Sequence, residues 1–254
     1  MFSNSEVIEA SRKFVCVRIE SYESKENQEI VRSYLNGRFE NTAFCVLAPD
    51  GKTRLSRSSR GPSQVFRDID GLVSNLESIA SEYKANGDVS KASVPDFNSF
   101  KLALNVASAD QRVLVLITAP EDQLKTAEKR MRTLAWHPKV QGKFQFDLES
   151  DASWKEPLSQ GADAKAGIYL IKPGTFGLEG TVLEQLDLEA PSKAILEAMA
   201  KANTAYAKTT EKKVYSTHLQ EGRSKSKRIE MAMPFGEDRD GDGEIDRRGG
   251  GRRL

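Results

Sequence analysis

The stretch ALNVASADQRVLVLITAPEDQLKTAEKRM, residues 103–131, decides the fold of this chain. It contains the longest apolar run, Val113-Leu114-Val115-Leu116-Ile117, which is typical of a buried strand. Apolar residues at helical spacing flank this run on both sides. The pattern therefore predicts a helix over 98–107, a strand over 112–117 and a helix over 119–135. The run is far shorter than the roughly 20 apolar residues that a bilayer-spanning helix needs, so no transmembrane helix is expected.

The same pattern extends to the rest of the second half of the chain. Further strands are predicted over 143–148, 167–171 and 181–186, followed by a final helix over 192–208. A strand, a crossover helix, a parallel strand, a hairpin and a last helix make a mixed sheet with helices on both faces.

The first half of the chain carries a shorter version of this order. Its predicted helices cover 5–12, 25–35 and 63–84, and its predicted strands cover 13–20, 43–47 and 53–56. The last two strands flank Pro49-Asp50-Gly51, and the Asp-Gly pair suits a tight hairpin turn. The predicted fold class is α/β, with two tandem units of mixed sheet flanked by helices, the first of them incomplete.

Composition changes along the chain and divides it into four parts. A first unit covers 1–86, a polar linker 87–96, a second unit 97–208 and a charged tail 209–254. The whole chain has 38 Lys+Arg and 37 Asp+Glu, which gives no global electrostatic reason to expect a nucleic-acid or membrane partner. The basic blocks of the tail lack interleaved aromatic residues for stacking on bases, so they are interpreted as solvated segments and a nucleic-acid partner is not expected.

Each of the two units resembles the thioredoxin fold. In the first unit the resemblance is carried by KFVCVRIES (13–21) and NTAFCVLAPDGKTRL (41–55). In the second unit it is carried by residues 103–131, AGIYLIKPG (166–174) and GTVLEQLDL (180–188). Redox members of this family carry a CxxC pair at the start of the helix that follows the central strand. Here that position holds Thr118-Ala119-Pro120-Glu121-Asp122, so the resemblance implies a member without thiol chemistry.

The residues at this junction suggest a structural role instead. Thr118 and Glu121 have the spacing of a capping box, in which each side chain satisfies a free backbone N–H of the other. Anion binding at this helix end is the alternative interpretation. The proline that redox members place before the hairpin is also missing, since Lys165-Ala166-Gly167 stands there.

The two cysteines, Cys16 and Cys45, lie in predicted strands of the first unit and are expected to be buried as small hydrophobic side chains. In the strand order of the family they would lie about 10 Å apart, two interstrand spacings, which is too far for a disulfide. The first unit matches only the later part of the fold. We therefore keep open that a central strand and its CxxC precede Met1.

The tail carries a sequence similar to EF-hand and dockerin-like calcium loops, over 238–249. Carboxylates alternate in it, and Gly243 stands where such loops turn sharply. The residues expected to bind Ca²⁺, the last but one through its backbone carbonyl, are Asp238, Asp240, Asp242, Glu244 and Asp246. Position 12, which normally supplies a bidentate Glu, is Gly249. The incomplete set predicts weak binding, with a dissociation constant on the order of 10⁻⁴ to 10⁻³ M.

These features predict a redox-inactive, bacterial-type tandem thioredoxin-like protein that acts as a scaffold or interaction module for a protein partner, with Ca²⁺ as its one cofactor. No catalytic and no cofactor-binding residue is assigned. The alternative is a thiol-disulfide oxidoreductase whose CxxC lies upstream. A start further upstream would favour a periplasmic or secreted location, where calcium is millimolar; otherwise a cytoplasmic one is expected.

Overall fold

A computed structural model describes residues 1–2, 4–17, 19, 24–38, 40, 42–84, 91–158, 165–211 and 213–227. The described residues form two compact units, one within 1–84 and the other within 91–227. Helices and a mixed sheet are both present, so the predicted mixed α/β class is confirmed. None of the described helices is long and apolar enough to cross a membrane.

The second unit is built on a four-stranded sheet. Its strands are β1 (Val113–Thr118), β2 (Phe144–Glu149), β3 (Gly167–Pro173) and β4 (Gly180–Leu186), in the order β2-β1-β3-β4. β1 pairs with β2 in parallel, with Val113 opposite Phe144, and β3 pairs antiparallel with both β1 and β4. All four strands predicted for this unit are therefore present.

Helices cover both faces of this sheet. One face packs against α6 (Glu121–Ala135) and α7 (Ser192–Thr209), and the other against α5 (Phe100–Asp110). All six residues of β1 are buried, because successive side chains point alternately into the two helical layers. Among the described residues between β2 and β3, the one helical element is a short 3₁₀ turn, Ser153–Lys155, and its Trp154 packs into the α5 layer.

The turn between β3 and β4 fastens the C-terminal part of this unit. Ser108 at the end of α5 donates to the carbonyl of Gly174 at 2.8 Å and to that of Thr175 at 3.1 Å. Lys213 Nζ donates to Ser108 O at 2.8 Å and to Ser108 Oγ at 2.9 Å.

Residues 209–227, which the sequence assigned to the charged tail, include a helix packed on the second unit. This is α8 (Tyr215–Ser224), whose His218 stacks on Phe176 with ring centres 5.0 Å apart.

The first unit is mainly helical in its described part. Its helices are α1 (Ser5–Ser11), α2 (Lys25–Tyr34), α3 (Pro62–Phe66) and α4 (Ile69–Ser81). Its largest apolar cluster forms where Val7 and Ala10 of α1 meet Leu72 and Leu76 of α4. The predicted hairpin is reduced to two isolated antiparallel bridges, Phe44 with Ser59 and Leu47 with Arg54.

The strand predicted over 13–20 is wrong for residues 13–17 and 19, which form no ladder. Val15 and Val17 are 70% and 73% exposed, although their residue types favour a buried strand. A strand is stable only when its backbone groups pair with a neighbour, and most of the buried residues in the core of this unit lie on helices. The β-branched residues favour a strand locally, but no described strand pairs with this segment.

Candidate functional site

The start of α6 is the place where the thioredoxin resemblance puts a redox pair. Thr118 ends β1 and is buried, and Ala119 N donates to Glu149 O at 3.2 Å. The N-cap residue is Pro120, and no side chain caps the helix. The predicted capping box is therefore wrong, because pairing within the sheet holds Thr118 in strand conformation and the N-cap of α6 lies two residues further on.

Both cysteines lie in the first unit. Cys16 is exposed, so its predicted burial is wrong, and Cys45 is half-buried. Burial raises the pKa of the Cys45 thiol, an effect that Arg54 opposes. A raised pKa keeps the thiol protonated and hence a poor nucleophile at neutral pH.

The predicted calcium ligands Asp238, Asp240, Asp242, Glu244 and Asp246 lie outside the described residues. Within the part of the chain that the structure describes, no group of three His, Cys, Asp or Glu side chains is placed to hold a metal ion. Calcium binding by the loop stays a prediction.

The most unusual polar side chain described in the second unit belongs to Asp147, in the middle of β2. Asp147 is 0% exposed, and neither of its carboxylate oxygens accepts a hydrogen bond. An ionised carboxylate without partners is costly to bury, because it loses its hydration and gains nothing in return. Such a group marks a candidate functional site when it lies beside other titratable groups.

Two further carboxyls are the charged neighbours of Asp147, those of Asp96 and Glu149. Asp96 Oδ1 accepts from the backbone N–H groups of Asn98 and Leu148, each at 3.1 Å. Glu149 Oε1 accepts from Phe100 N, in the first turn of α5, at 2.8 Å. We call Asp96, Asp147 and Glu149 the carboxyl cluster.

The electrostatics of this cluster follow from burial and crowding. Burial, followed by the charges of Asp96 and Glu149, raises the pKa of Asp147 to about 9. Burial also raises the pKa of Glu149, while the hydrogen bond from Phe100 N opposes that rise. At neutral pH Asp147 therefore carries a proton, which it can donate to a neighbouring carboxylate.

Sequence reasoning missed this cluster. In FQFDLE the apolar residues alternate with Gln145, Asp147 and Glu149, which is the usual pattern of a strand with one solvated face. That face is instead covered by α5, as Gln145 Nε2 donates to Asp110 Oδ2 at 2.8 Å and Glu149 bonds to Phe100. One signal in the sequence could have predicted the cluster. The apolar residues of α5 require a sheet face to pack against, and the face of β2 that carries Asp147 and Glu149 is such a face.

No protein-family model, curated protein or solved structure matches this chain. The interpretation of its function therefore depends on its own residues and their arrangement.

Proposed function

We propose that the second unit is a thioredoxin-like domain that acts as a protein-interaction module without thiol chemistry. The observation that carries the proposal is the junction between β1 and α6, where redox members hold their cysteine pair and this chain has Ala119-Pro120-Glu121-Asp122. Thiol exchange needs a thiolate and a second, resolving thiol, and this junction supplies neither.

The connection order of the second unit supports the thioredoxin-like assignment. β1, α6, parallel β2, the antiparallel hairpin β3–β4 and α7 follow one another as the resemblance implies. α6 and α7 lie on one face of the sheet and α5 lies on the other, beside Trp154 of the short 3₁₀ turn. The short 3₁₀ turn contributes little apolar surface to this face of the sheet. We infer that α5 supplies the rest of the layer that covers it.

Exposed apolar residues of the first unit support an interaction role. Val15, Val17 and Ile19 alternate in the sequence, lie outside the described helices and strands, and are each exposed. Alternating β-branched residues suit pairing with an extended polypeptide, which adds backbone hydrogen bonds to side-chain burial. We propose that such a segment of a partner protein pairs with the part of the chain that carries Val15, Val17 and Ile19.

The redox part of this proposal is tested by insulin reduction with the full chain and dithiothreitol. The expected result is no turnover above the reductant alone, in both the wild type and the Cys16→Ser/Cys45→Ser variant. Turnover that the double substitution abolishes would overturn the proposal and assign redox chemistry to the first unit.

The interaction part is tested with a photo-crosslinker attached to Cys16, which is exposed and stands between Val15 and Val17. We expect a defined adduct in cells that is lost in a Val15→Ser/Val17→Ser variant. Val214→Ser is the matched control, since Val214 is a similarly exposed valine of the second unit. An adduct that survives the double substitution would contradict pairing at Val15 and Val17.

The proposal includes the calcium loop at 238–249 as a weak Ca²⁺ site. Its support is the alternation of Asp238, Asp240 and Asp242 followed by Gly243, a spacing that lets oxygen ligands wrap a hard cation.

A further inference from the structure

Residues 93–100 cross the outer edge of the sheet from one helical layer to the other, and we call them the strap. Val94 is buried in the layer formed by α6 and α7, whereas Phe97 and Phe100 pack in the α5 layer. β2 is the edge strand that lies between these two positions. The strap therefore covers an edge that would otherwise present unpaired backbone groups.

The first end of the strap is fixed to α6 by hydrogen bonds. Val94 N donates to Glu128 Oε1 at 2.9 Å, and Trp136 Nε1 donates to Ser93 O at 3.0 Å. Arg132 Nε holds both oxygens of Glu128 at 2.9 Å. This ion pair lowers the pKa of Glu128, so the carboxylate remains an acceptor over a wide pH range.

The other end of the strap is fixed to β2 by the carboxyl cluster. Leu148 N on β2 donates to Asp96 of the strap, and Phe100 N of the strap donates to Glu149 of β2. Both bonds bring a carboxylate to the position of Asp147. The cluster thus brings three acidic groups together where the strap meets the strand edge.

The three carboxyls of the cluster differ in their hydrogen bonds. Asp96 accepts two backbone N–H groups and Glu149 accepts one, and the bond from Phe100 N opposes the rise in the pKa of Glu149. Asp147 receives none and is fully buried. The proton therefore resides on Asp147, whose O–H can donate to Asp96 or to Glu149.

We propose that residues 93–100 form a proton-held strap, in which protonated Asp147 bridges the strap to β2 and loss of that proton releases the strap from the strand edge. With the proton present, the cluster has two negative charges and a hydrogen bond between carboxyls. After deprotonation three negative charges meet in one site, and the bridging hydrogen bond is gone. Asp96 is exposed, so it offers the proton a route to water.

Within the described part of the chain, the charges that act on Asp147 are those of Asp96 and Glu149, and both are negative. The partner of Asp147 across the sheet is Leu116 of β1, and the buried face of α5 carries Phe100, Ala103, Leu104 and Ala107. Among the charged residues of α5, Lys101 pairs with Glu156 and Asp110 accepts from Gln145. Asp151, after β2, adds a further negative charge that acts on Glu149. The charges that act on Asp147 and Glu149 are therefore negative, and each opposes a third carboxylate.

The proposal is tested by hydrogen exchange, followed by mass spectrometry, in a peptide that spans 93–100. Its amides include those of Val94, Asn98 and Phe100, which donate to Glu128, Asp96 and Glu149. Wild type and Asp147→Asn are compared at the same pH, so intrinsic exchange rates cancel within an identical peptide. Asp110→Asn is the matched control, because it removes an acid from the same interface outside the cluster.

We expect the ratio of exchange in the wild type to exchange in Asp147→Asn to rise between pH 6 and pH 9, because Asp147 loses its proton more readily when the strap is released than when it is closed. The rise should be at most about tenfold per pH unit and should level off once Asp147 is ionised in the closed state as well, while Asp110→Asn follows the wild type. A ratio that does not change between pH 6 and pH 10 would overturn the proposal. If Asp147→Asn fails to fold, the fluorescence of Trp136, whose Nε1 bonds to the strap, reports release in the wild type and in Asp96→Asn. No alkaline change in either protein would then overturn it.

Discussion

Asp96 Oδ1 lies 3.1 Å from Leu148 N and accepts its hydrogen bond. A side chain from the segment before α5 thus satisfies a backbone N–H on the outer edge of β2. In a sheet this position is normally filled by another strand or by water. The bond places Asp96 beside buried Asp147 and so couples the covering of the sheet edge to the titration of a carboxyl cluster.

Stability of the second unit should depend on pH through Asp147. Its pKa rises from 3.8 to about 9 on folding, so between these values the folded state binds more protons than the unfolded state. The contribution of Asp147 is therefore fully present below pH 3.8 and is lost as the pH rises toward 9. The slope is at most about 1.4 kcal/mol per pH unit. Asp147→Asn should remove this slope and melt at a higher temperature than the wild type at pH 8.

Thermal melts from pH 4 to pH 9 measure this difference, with Asp110→Asn as the control for charge removal. The gain in melting temperature of Asp147→Asn over the wild type should grow with pH. A gain that is constant with pH, or largest at pH 4, would show that Asp147 is ionised in the folded protein.

Gly177 in the β3–β4 turn should tolerate no side chain. Its φ is +70°, and a Cβ there would lie 2.5 Å from Asn105 Cα, a backbone atom that cannot move aside cheaply. Gly177→Ala should therefore lower the free energy of unfolding by more than the cost of about 1–2 kcal/mol that a left-handed conformation imposes on an L-residue.

Gly142→Ala is the matched control for this prediction. Gly142 has a φ of +74°, and a Cβ there meets no atom within 4 Å. Chemical denaturation of both variants separates the steric cost from the conformational one. Equal losses of stability would mean that the turn does not approach α5 as closely as described.

The second unit was largely predictable from the sequence, and the first was not. The run Val113–Ile117 has one physical interpretation, a strand buried on both faces, and helices at regular spacing must then cover it. Val15 and Val17 have the same β-branched character, yet they are exposed because a strand also requires a partner. The sequence of one segment cannot specify that partner.

The candidate site depends on contacts that are distant in sequence. Asp96 and Leu148 are 52 residues apart, and Phe100 and Glu149 are 49 apart. The alternation of apolar and polar residues in β2 predicts which face of the sheet Asp147 occupies. Asp147 is buried because α5 and the strap pack over that face. The failed capping box at Thr118 has a similar cause, since sheet pairing overrides the local helix signal.

Calcium should bind weakly to the loop at 238–249. Titration of the full chain in a calorimeter is expected to give a dissociation constant on the order of 10⁻⁴ to 10⁻³ M. Asp240→Ala and Asp242→Ala should each abolish the heat signal, because each removes a carboxylate of the predicted site. Asp151→Ala, outside the loop, is the control. The absence of binding at several millimolar Ca²⁺ in the wild type would contradict the prediction.

The most direct test of the thioredoxin-like assignment is to restore the missing chemistry. Ala119→Cys and Asp122→Cys, introduced together in the Cys16→Ser/Cys45→Ser background, place two thiols three residues apart where α6 begins. A thiolate at this helix end is stabilised by the free N–H groups of the first turn. The variant is then assayed for insulin reduction beside the wild type. The expected result is turnover in the variant and none in the wild type. A variant that melts like the wild type and forms the internal disulfide, yet shows no turnover, would contradict the assignment.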